Sequence, residues 1–371
     1  MVAQRVFVVG GSGFLGSAIV KQALARGWEV ISISPSGRPF TTPAGHQPDW
    51  TRSDRIQWKS ADALRPETYA DSLASCSAVV HTIGILLESD YKKGAGGSGV
   101  LKGLAQGWFG DGSRNPLDEE QSKFSYEVMN RDSALSMARA FLESRSKLPI
   151  PGSSHTPAPF VYISAEDIFR PIVSSRYIKT KREAEYELAR LALDSASSGS
   201  STSSADPSAQ VDASRPLIQP FFVRPGLMYH PQTRPLSTLP AALLDFSANV
   251  HARLDSKPAA TAYATSPAAG PGQGSSSSSS GLPFGLKIPT PASLIRTLGP
   301  ASVQPLADLL TIPPLHVDTV AKAVCAAIAG EARAGQVGTT VTAEVGPEGM
   351  SISVGEVLAT ADIRKLAGWK S

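Results

Sequence analysis

Cysteine is nearly absent from this chain. Cys76 and Cys325 are the only two in 371 residues, far apart and each in an apolar stretch. That scarcity argues against a disulfide framework and against a cysteine-built metal centre, and leaves two reduced core thiols. An excess of one charge is also lacking. Thirty-five basic against thirty-two acidic residues leave a formal +3, and the basic side chains form no stripe that could track a phosphate backbone, so nucleic acid is not expected as a partner. No apolar run approaches the roughly 20 residues a membrane-spanning helix needs. A strand starting near Arg5 leaves no room for a secretory signal or an amphipathic transit peptide, so these signals by themselves point to the cytosol. Internal repeats are missing too. With 42% hydrophobic and 18% charged residues, the composition is that of a soluble globular protein.

The first third alternates between two periods. Arg5 to Val9 reads as a strand, Phe14 to Arg26 as a helix closed by Gly27, and Glu29 to Ser34 as a second strand. A strand at Ile56 to Ser60, a helix from about Pro66 to Ser75 and a buried strand at Ala78 to Thr82 continue the series. Such a succession predicts an α/β fold, a Rossmann-type doubly wound parallel sheet covered on both faces. A helix from about Tyr126 to Ser144, a strand at Phe160 to Ile163, a helix from about Arg176 to Leu193 and a strand at Ile218 to Arg224 complete a core over residues 1–235. Two insertions interrupt it, at about 88–123 (Gly-rich, with Trp108 and Phe109 either docking outward or tucking onto the body) and about 195–216 (Ser/Ala-rich). Residues 236–371 form a small C-terminal α/β segment for substrate or partner, with a helix at Val317 to Ala329, a strand at Thr339 to Glu344 and a helix near Val354 to Ala367. It carries a low-complexity insertion at about 256–281 with six consecutive serines. The insertions are expected to be disordered loops.

The strongest local signal is Gly10-Gly11-Ser12-Gly13-Phe14-Leu15-Gly16, placed directly after an apolar strand and opening an amphipathic helix. Glycines at positions 10, 13 and 16 permit a tight turn, close approach of backbone N–H groups to a pyrophosphate, and close packing of helix on strand. The end of the second strand lacks the carboxylate that would hold a ribose 2′-hydroxyl. Ser34, Ser36 and Arg38 stand there instead and could accept a 2′-phosphate, so NADP(H) is expected in preference to NAD(H). Arg38 could equally be a solvated loop residue. Asp62, just past the third strand, either meets the adenine or serves its own turn.

Tyr177 and Lys181 lie four apart at the start of a helix, which puts both on one face. A nearby ammonium lowers a phenol's pKa, letting Tyr177 exchange a proton with a substrate oxygen, while Lys181 can also hydrogen-bond a nicotinamide ribose. Ser164, ending the strand thirteen residues upstream, could hold that oxygen. His81, His316 and Asp318 read as capping or core residues, and no metal site is expected.

Together these pieces resemble the extended and atypical branches of the short-chain dehydrogenase/reductase superfamily, of NAD-dependent epimerase/dehydratase type. Also matching are Val79-Val80-His81-Thr82-Ile83-Gly84, Asn130, Arg224-Pro225-Gly226 with Tyr229, and His316-Val317-Asp318. More narrowly, the strings VVHTIGILLESDYK, YEVMNRDSA, YISAEDIF, SRYIKTKREAE and FFVRPGLMY resemble the fungal mitochondrial family associated with ubiquinone (coenzyme Q) biosynthesis. That family is itself similar to the NADPH-binding accessory subunit of respiratory complex I. The resemblance implies a mitochondrial location, peripheral to the matrix side of the inner membrane. It also implies attachment to the ubiquinone-synthesis complex or another inner-membrane complex, and a small-molecule substrate. Pro35 departs from the pattern, standing where a basic residue is expected after Ser34. Two roles fit: hydride transfer to or from a carbonyl or quinone-like substrate, or non-catalytic NADP(H) binding within a complex. An RNA- or sugar-modifying relative finds neither a basic stripe nor a sugar-nucleotide signature.

Overall fold

In the computed structural model, residues 4–84, 125–147, 156–167, 175–197, 216–232, 245–249, 297, 310–345 and 350–369 are described. The insertions expected at 88–123 and 256–281 lie outside them, as does 198–215 of the third.

The strands are β1 (Arg5–Val9), β2 (Glu29–Ser34), β3 (Ile56–Ser60), β4 (Ala78–His81), β5 (Ala158–Ile163), β6 (Ile218–Val223), β7 (Met228–Tyr229), β8 (Leu315–His316), β9 (Thr339–Val345) and β10 (Met350–Leu358). The helices are α1 (Phe14–Ala25), α2 (Ala70–Ala74), α3 (Ser133–Ser146, led in by a π-helical turn at Glu127–Asp132), α4 (Ser175–Ser197), α5 (Val317–Ile328), α6 (Glu331–Ala334) and α7 (Thr360–Leu366). Eight strands form one sheet in the order β3-β2-β1-β4-β5-β6-β10-β9, parallel throughout except for the β10–β9 pair. This is the expected Rossmann-type sheet, with its order reversing between β1 and β4, where such folds hold their ligands.

Its central strands are apolar almost end to end because helices cover both faces. Every residue of β4 and of β6 is buried. Successive side chains alternate: Val6 and Val8 of β1 join the core under α1 and α5, while Phe7 and Val9 join Tyr162, Phe141 and Leu188 under α3 and α4. Helices α1 and α5 pack side by side, and Arg26, just past α1, donates to Glu331 at the start of α6 at 2.6 Å.

Two expectations need correction. Val354 to Leu358 are not helical but close strand β10, and the last helix begins at Thr360. Glu356 misleads, because a mid-segment glutamate reads as a solvated helix face. Here it is buried and paired with Arg333 at 2.9 Å, and Gly355 lies flat against the Phe222 ring. The C-terminal segment thereby extends the same sheet. Ser195, read as the start of a loop, instead lies in the last turn of α4. Its Oγ donates to Ala192 O at 2.6 Å and accepts the Leu217 N–H at 3.0 Å, fastening the helix to the start of β6.

Candidate nucleotide and catalytic site

All candidate residues gather at the carboxyl edge of the sheet. The turn between β1 and α1 is built by glycine geometry. Gly10 has φ +84°, a left-handed conformation that side chains resist, and its N–H donates to Ile33 O at 2.9 Å. Gly13 N donates to Gly10 O at 2.9 Å and starts the helix from an extended conformation (φ −80°, ψ 178°) without a side-chain cap. A Cβ at Gly16 would collide with the Gly10 carbonyl oxygen, and one at Gly11 with Ser32 Oγ. Gly13 is exposed, Ser12 and Phe14 partly so, and Leu15 is buried under the turn. An exposed, uncapped helix start with the backbone drawn in close is a fit for a pyrophosphate.

The ends of β2 and β3 lie side by side, Ser34 opposite Ser60. Ser34 Oγ accepts the Gly37 N–H at 3.1 Å and Ser36 Oγ accepts the Arg38 N–H at 3.3 Å. Each oxygen spends a lone pair on the turn, which leaves its hydrogen to donate. Ser36 and Arg38 are exposed, and Arg38 has no ion-pair partner among the described residues. Asp62 is exposed and serves its own loop: Oδ1 accepts the Leu64 N–H at 3.0 Å, and Arg65 stands 3.9 Å from Oδ2.

Ser164, Tyr177 and Lys181 are all buried, at 3%, 8% and 2% exposure. Lys181 Nζ donates to Ile163 O at 2.8 Å, lies 4.8 Å from the centre of the Tyr162 ring and 6.0 Å from that of Tyr177. Burial lowers its pKa to about 7; Glu185 opposes this and the Arg182 charge adds to it. Tyr177 packs edge-on against Tyr126, with ring centres 5.8 Å apart. Burial pushes its phenol well above the ordinary range and Tyr126 pushes it further, while the opposing cation is Arg182. The tuning expected from a Lys181 ammonium is thus outweighed by desolvation. Gly84, after β4, completes the niche: a Cβ there would lie 2.8 Å from Lys181 Nζ and 3.0 Å from Asn130 Oδ1.

Three features were not legible as site components in the sequence. Arg182, beside Lys181 in the chain, donates to Ser164 Oγ at 2.9 Å. Glu185, 7% exposed in its side chain, pairs with both Arg182 (2.7 Å) and Arg224. The π-helical turn before α3 buries Asn130, whose carbonyl accepts the Tyr162 hydroxyl at 2.5 Å. The Tyr-x-x-x-Lys-Arg-x-x-Glu spacing was the available signal for the first two. His81 is a buried, neutral residue beneath them, driven down to about 3 by burial and by Lys181.

On the α1–α5 side, His230, His316 and Asp318 bring donor atoms within 4.8 Å of one another. Both Nδ1 atoms accept a backbone N–H at 3.2 Å, from Gln232 and from Asp318. That fixes the ring protons on Nε2, and His316 caps α5, whose N-terminal dipole opposes a cation. The arrangement is a capping cluster.

A parallel sheet with this strand order, a glycine turn at its switch point and a Ser-Tyr-Lys group at its carboxyl edge defines a dinucleotide-binding fold of short-chain dehydrogenase/reductase type. Residues 6–89 match the model of the NAD dependent epimerase/dehydratase family, and the chain belongs to that family. Over 227 residues it is 31% identical to MIOREX complex component 2 of Saccharomyces cerevisiae, covering 61% of this chain and 73% of that protein. Over 81 residues it is 32% identical to vestitone reductase of Medicago sativa, covering 21% of this chain and 24% of that one. Among solved structures it is similar to a short-chain dehydrogenase/reductase family oxidoreductase from Burkholderia thailandensis (TM-score 0.48, 11% identity, 97% of this chain and 92% of that one). It is also similar to a 3-oxoacyl-[acyl-carrier protein] reductase from Brucella melitensis in complex with NAD (TM-score 0.42, 14% identity, 67% and 83%).

Proposed function

We propose that this chain is an NADP(H)-dependent oxidoreductase, acting on a carbonyl or quinone-like small molecule in mitochondrial ubiquinone biosynthesis. The observation that carries the reading is that Ser164, Tyr177 and Lys181 are grouped at the carboxyl edge that also bears the glycine turn: Ser164 follows the last residue of β5, Lys181 Nζ donates to the carbonyl of that last residue, Ile163, at 2.8 Å, and lies 6.0 Å from the centre of the Tyr177 ring. The turn at Gly10 to Gly16 binds the pyrophosphate, and Ser34, Ser36 and Arg38 receive the 2′-phosphate with two hydroxyl donors and a guanidinium. Asp62 stands near the adenine end. When bound, the nicotinamide supplies or accepts the hydride. Ser164 Oγ holds the substrate oxygen, Tyr177 Oη exchanges a proton with it, and Lys181 anchors the ribose. The Tyr177 phenol holds its proton at neutral pH, as the acid of a carbonyl reduction must, although burial raises it above the ordinary range and makes it a weaker acid than a solvated tyrosine.

The location follows the family resemblance: mitochondrial, on the matrix side of the inner membrane, attached to the ubiquinone-synthesis complex. The relative whose name makes it a complex component supports membership of an assembly. Among the described residues no helix is long and apolar enough to cross a membrane. One observation favours the second role, a non-catalytic NADP(H)-binding subunit or regulator of an inner-membrane complex: all three members of the Ser-Tyr-Lys group are buried. Titration with NADPH and NADH, followed by intrinsic fluorescence, tests the cofactor. The expected result is a preference for NADPH that Arg38→Ala reduces. Binding of neither nucleotide defeats both roles, whereas tight NADPH binding without turnover of any carbonyl or quinone selects the second.

A further inference from the structure

We propose that Arg182 is a positioning residue for Ser164, fixing its hydroxyl as a hydrogen-bond donor aimed at the substrate oxygen; this rests on the enzymatic reading above. The guanidinium spans two consecutive residues at the end of β5, with Nη1 2.9 Å from Ser164 Oγ and Nη2 2.8 Å from Ala165 O. A hydroxyl has one hydrogen and two lone pairs, and a guanidinium only donates, so Arg182 can occupy nothing but a lone pair of Ser164. The serine hydrogen has no protein acceptor among the described residues, and Ser164 is 3% exposed, so bulk water does not compete freely for it. What remains is a donor not committed to the protein and strengthened by the charge on its own oxygen.

The clamp is itself braced. Arg182 Nη1 also donates to Glu185 Oε1 at 2.7 Å, and Glu185 Oε1 and Oε2 accept from Arg224, at the end of β6. A single turn of α4 thereby links the ends of β5 and β6 through one carboxylate. Were Arg182 present only to neutralise Glu185, the two bonds of Arg224 would already suffice. Its contacts to Ser164 and Ala165 lie outside that need. Its charge also bears on both neighbours in the niche, lowering the proton affinity of Lys181 and of Tyr177.

The test is a double-mutant cycle in the full chain, with NADPH and 9,10-phenanthrenequinone as the probe, a diketone whose only polar atoms are its two oxygens. Arg182→Met is expected to lower kcat/KM by about tenfold or more in the Ser164 background, the scale of one charge-assisted hydrogen bond. In the Ser164→Ala background the same change should cost less than about twofold. NADPH affinity should hold in every variant. Arg182→Met should also raise the pH of the limb that reports Lys181, while Arg182→Lys keeps the charge and leaves that limb in place, a difference that mere loss of packing does not produce. Arg182→Lys and Arg182→Gln carry the same cycle should the methionine variant fail to fold. Equal losses in both serine backgrounds, or wild-type turnover in Arg182→Met, would overturn the proposal and leave the enzymatic reading intact. A wild type that binds NADPH yet turns over no quinone or carbonyl overturns that reading, and this one with it.

Discussion

Replacing Lys181 with methionine should stabilise the protein, by an amount that depends on pH. The ammonium is 2% exposed and titrates near 7 instead of its ordinary 10.5. At about 1.36 kcal/mol per tenfold change in proton affinity, keeping it buried costs the folded state about 4 kcal/mol at pH 7 and about 2 kcal/mol at pH 9. The sign follows from which state holds the proton. Between pH 7 and 10.5 the unfolded chain binds more protons, so wild-type stability rises with pH there and is lost as pH falls through 7. Methionine removes that cost but leaves Ile163 O without its 2.8 Å donor, a penalty of about 1–3 kcal/mol that does not vary with pH. The assay is urea unfolding followed by tryptophan fluorescence at pH 7, 8 and 9 without nucleotide. The advantage of Lys181→Met over wild type should shrink by about 2 kcal/mol between pH 7 and pH 9. Groups that titrate identically in both chains cancel from the difference. A gap independent of pH would refute the reasoning, since it would mean that Lys181 is either solvated or charged throughout.

Gly16→Ala places a methyl 2.8 Å from two backbone atoms of the turn, where nothing flexible can yield, and against the Gly10 carbonyl. A loss of more than about 2 kcal/mol in chemical unfolding is expected, with no NADPH-induced rise in Tm; normal nucleotide binding would contradict the cradle. Glu185→Gln withdraws the charge shared by Arg182 and Arg224 and should cost about 3 kcal/mol by the same method. Glu143→Gln, which breaks an exposed pair with Lys147, should change nothing measurable and serves as its control. Tyr177→Phe should leave the NADPH Kd unchanged and cut turnover about a hundredfold or more, read by single-turnover absorbance at 340 nm. Unchanged turnover removes the phenol from the chemistry.

The succession of the central strands is legible because strands covered on both faces are apolar over most of their length, as at Val6 to Val9 and Ala78 to Val80. The glycine turn is legible because it is a local backbone requirement: positive φ at Gly10 and contact at Gly16 are both solved within seven residues. Lys181 is visible as a residue type at a spacing, but its state is not. Whether it carries a charge depends on the desolvation made by Tyr162 and Ile163 of β5 and by Gly84 after β4, which come from two other segments. Arg182 is hidden for the same reason, since KREAE reads as a solvated face until β5 and β6 are brought beside it. Strand β10 is misread because Glu356 finds its cation 23 residues away, and pattern reading cannot anticipate a buried pair at that distance.

That misreading bears on how the site is held. A C-terminal helix could have been an appendage packed on a finished core, but a seventh parallel strand cannot. Arg224 N donates to Leu358 O at 2.9 Å, Gly226 N to Thr360 Oγ1 at 3.1 Å, and Thr360 N to Glu166 Oε1 at 3.3 Å. Each bond joins the end of β10 to a residue within two positions of Ser164 or of Arg224. Burial raises the Glu166 carboxyl, and the amide of Thr360 with the charges of Arg182 and Arg224 acts against that rise. The end of β10 therefore braces the same carboxylate–guanidinium chain that reaches Ser164. Thr360 and Leu358 are thereby linked to Ser164 through backbone hydrogen bonds, Glu185 and two arginines. The alignment of Ser164 is a property of the completed eight-stranded sheet, not of the glycine-turn half of the chain alone.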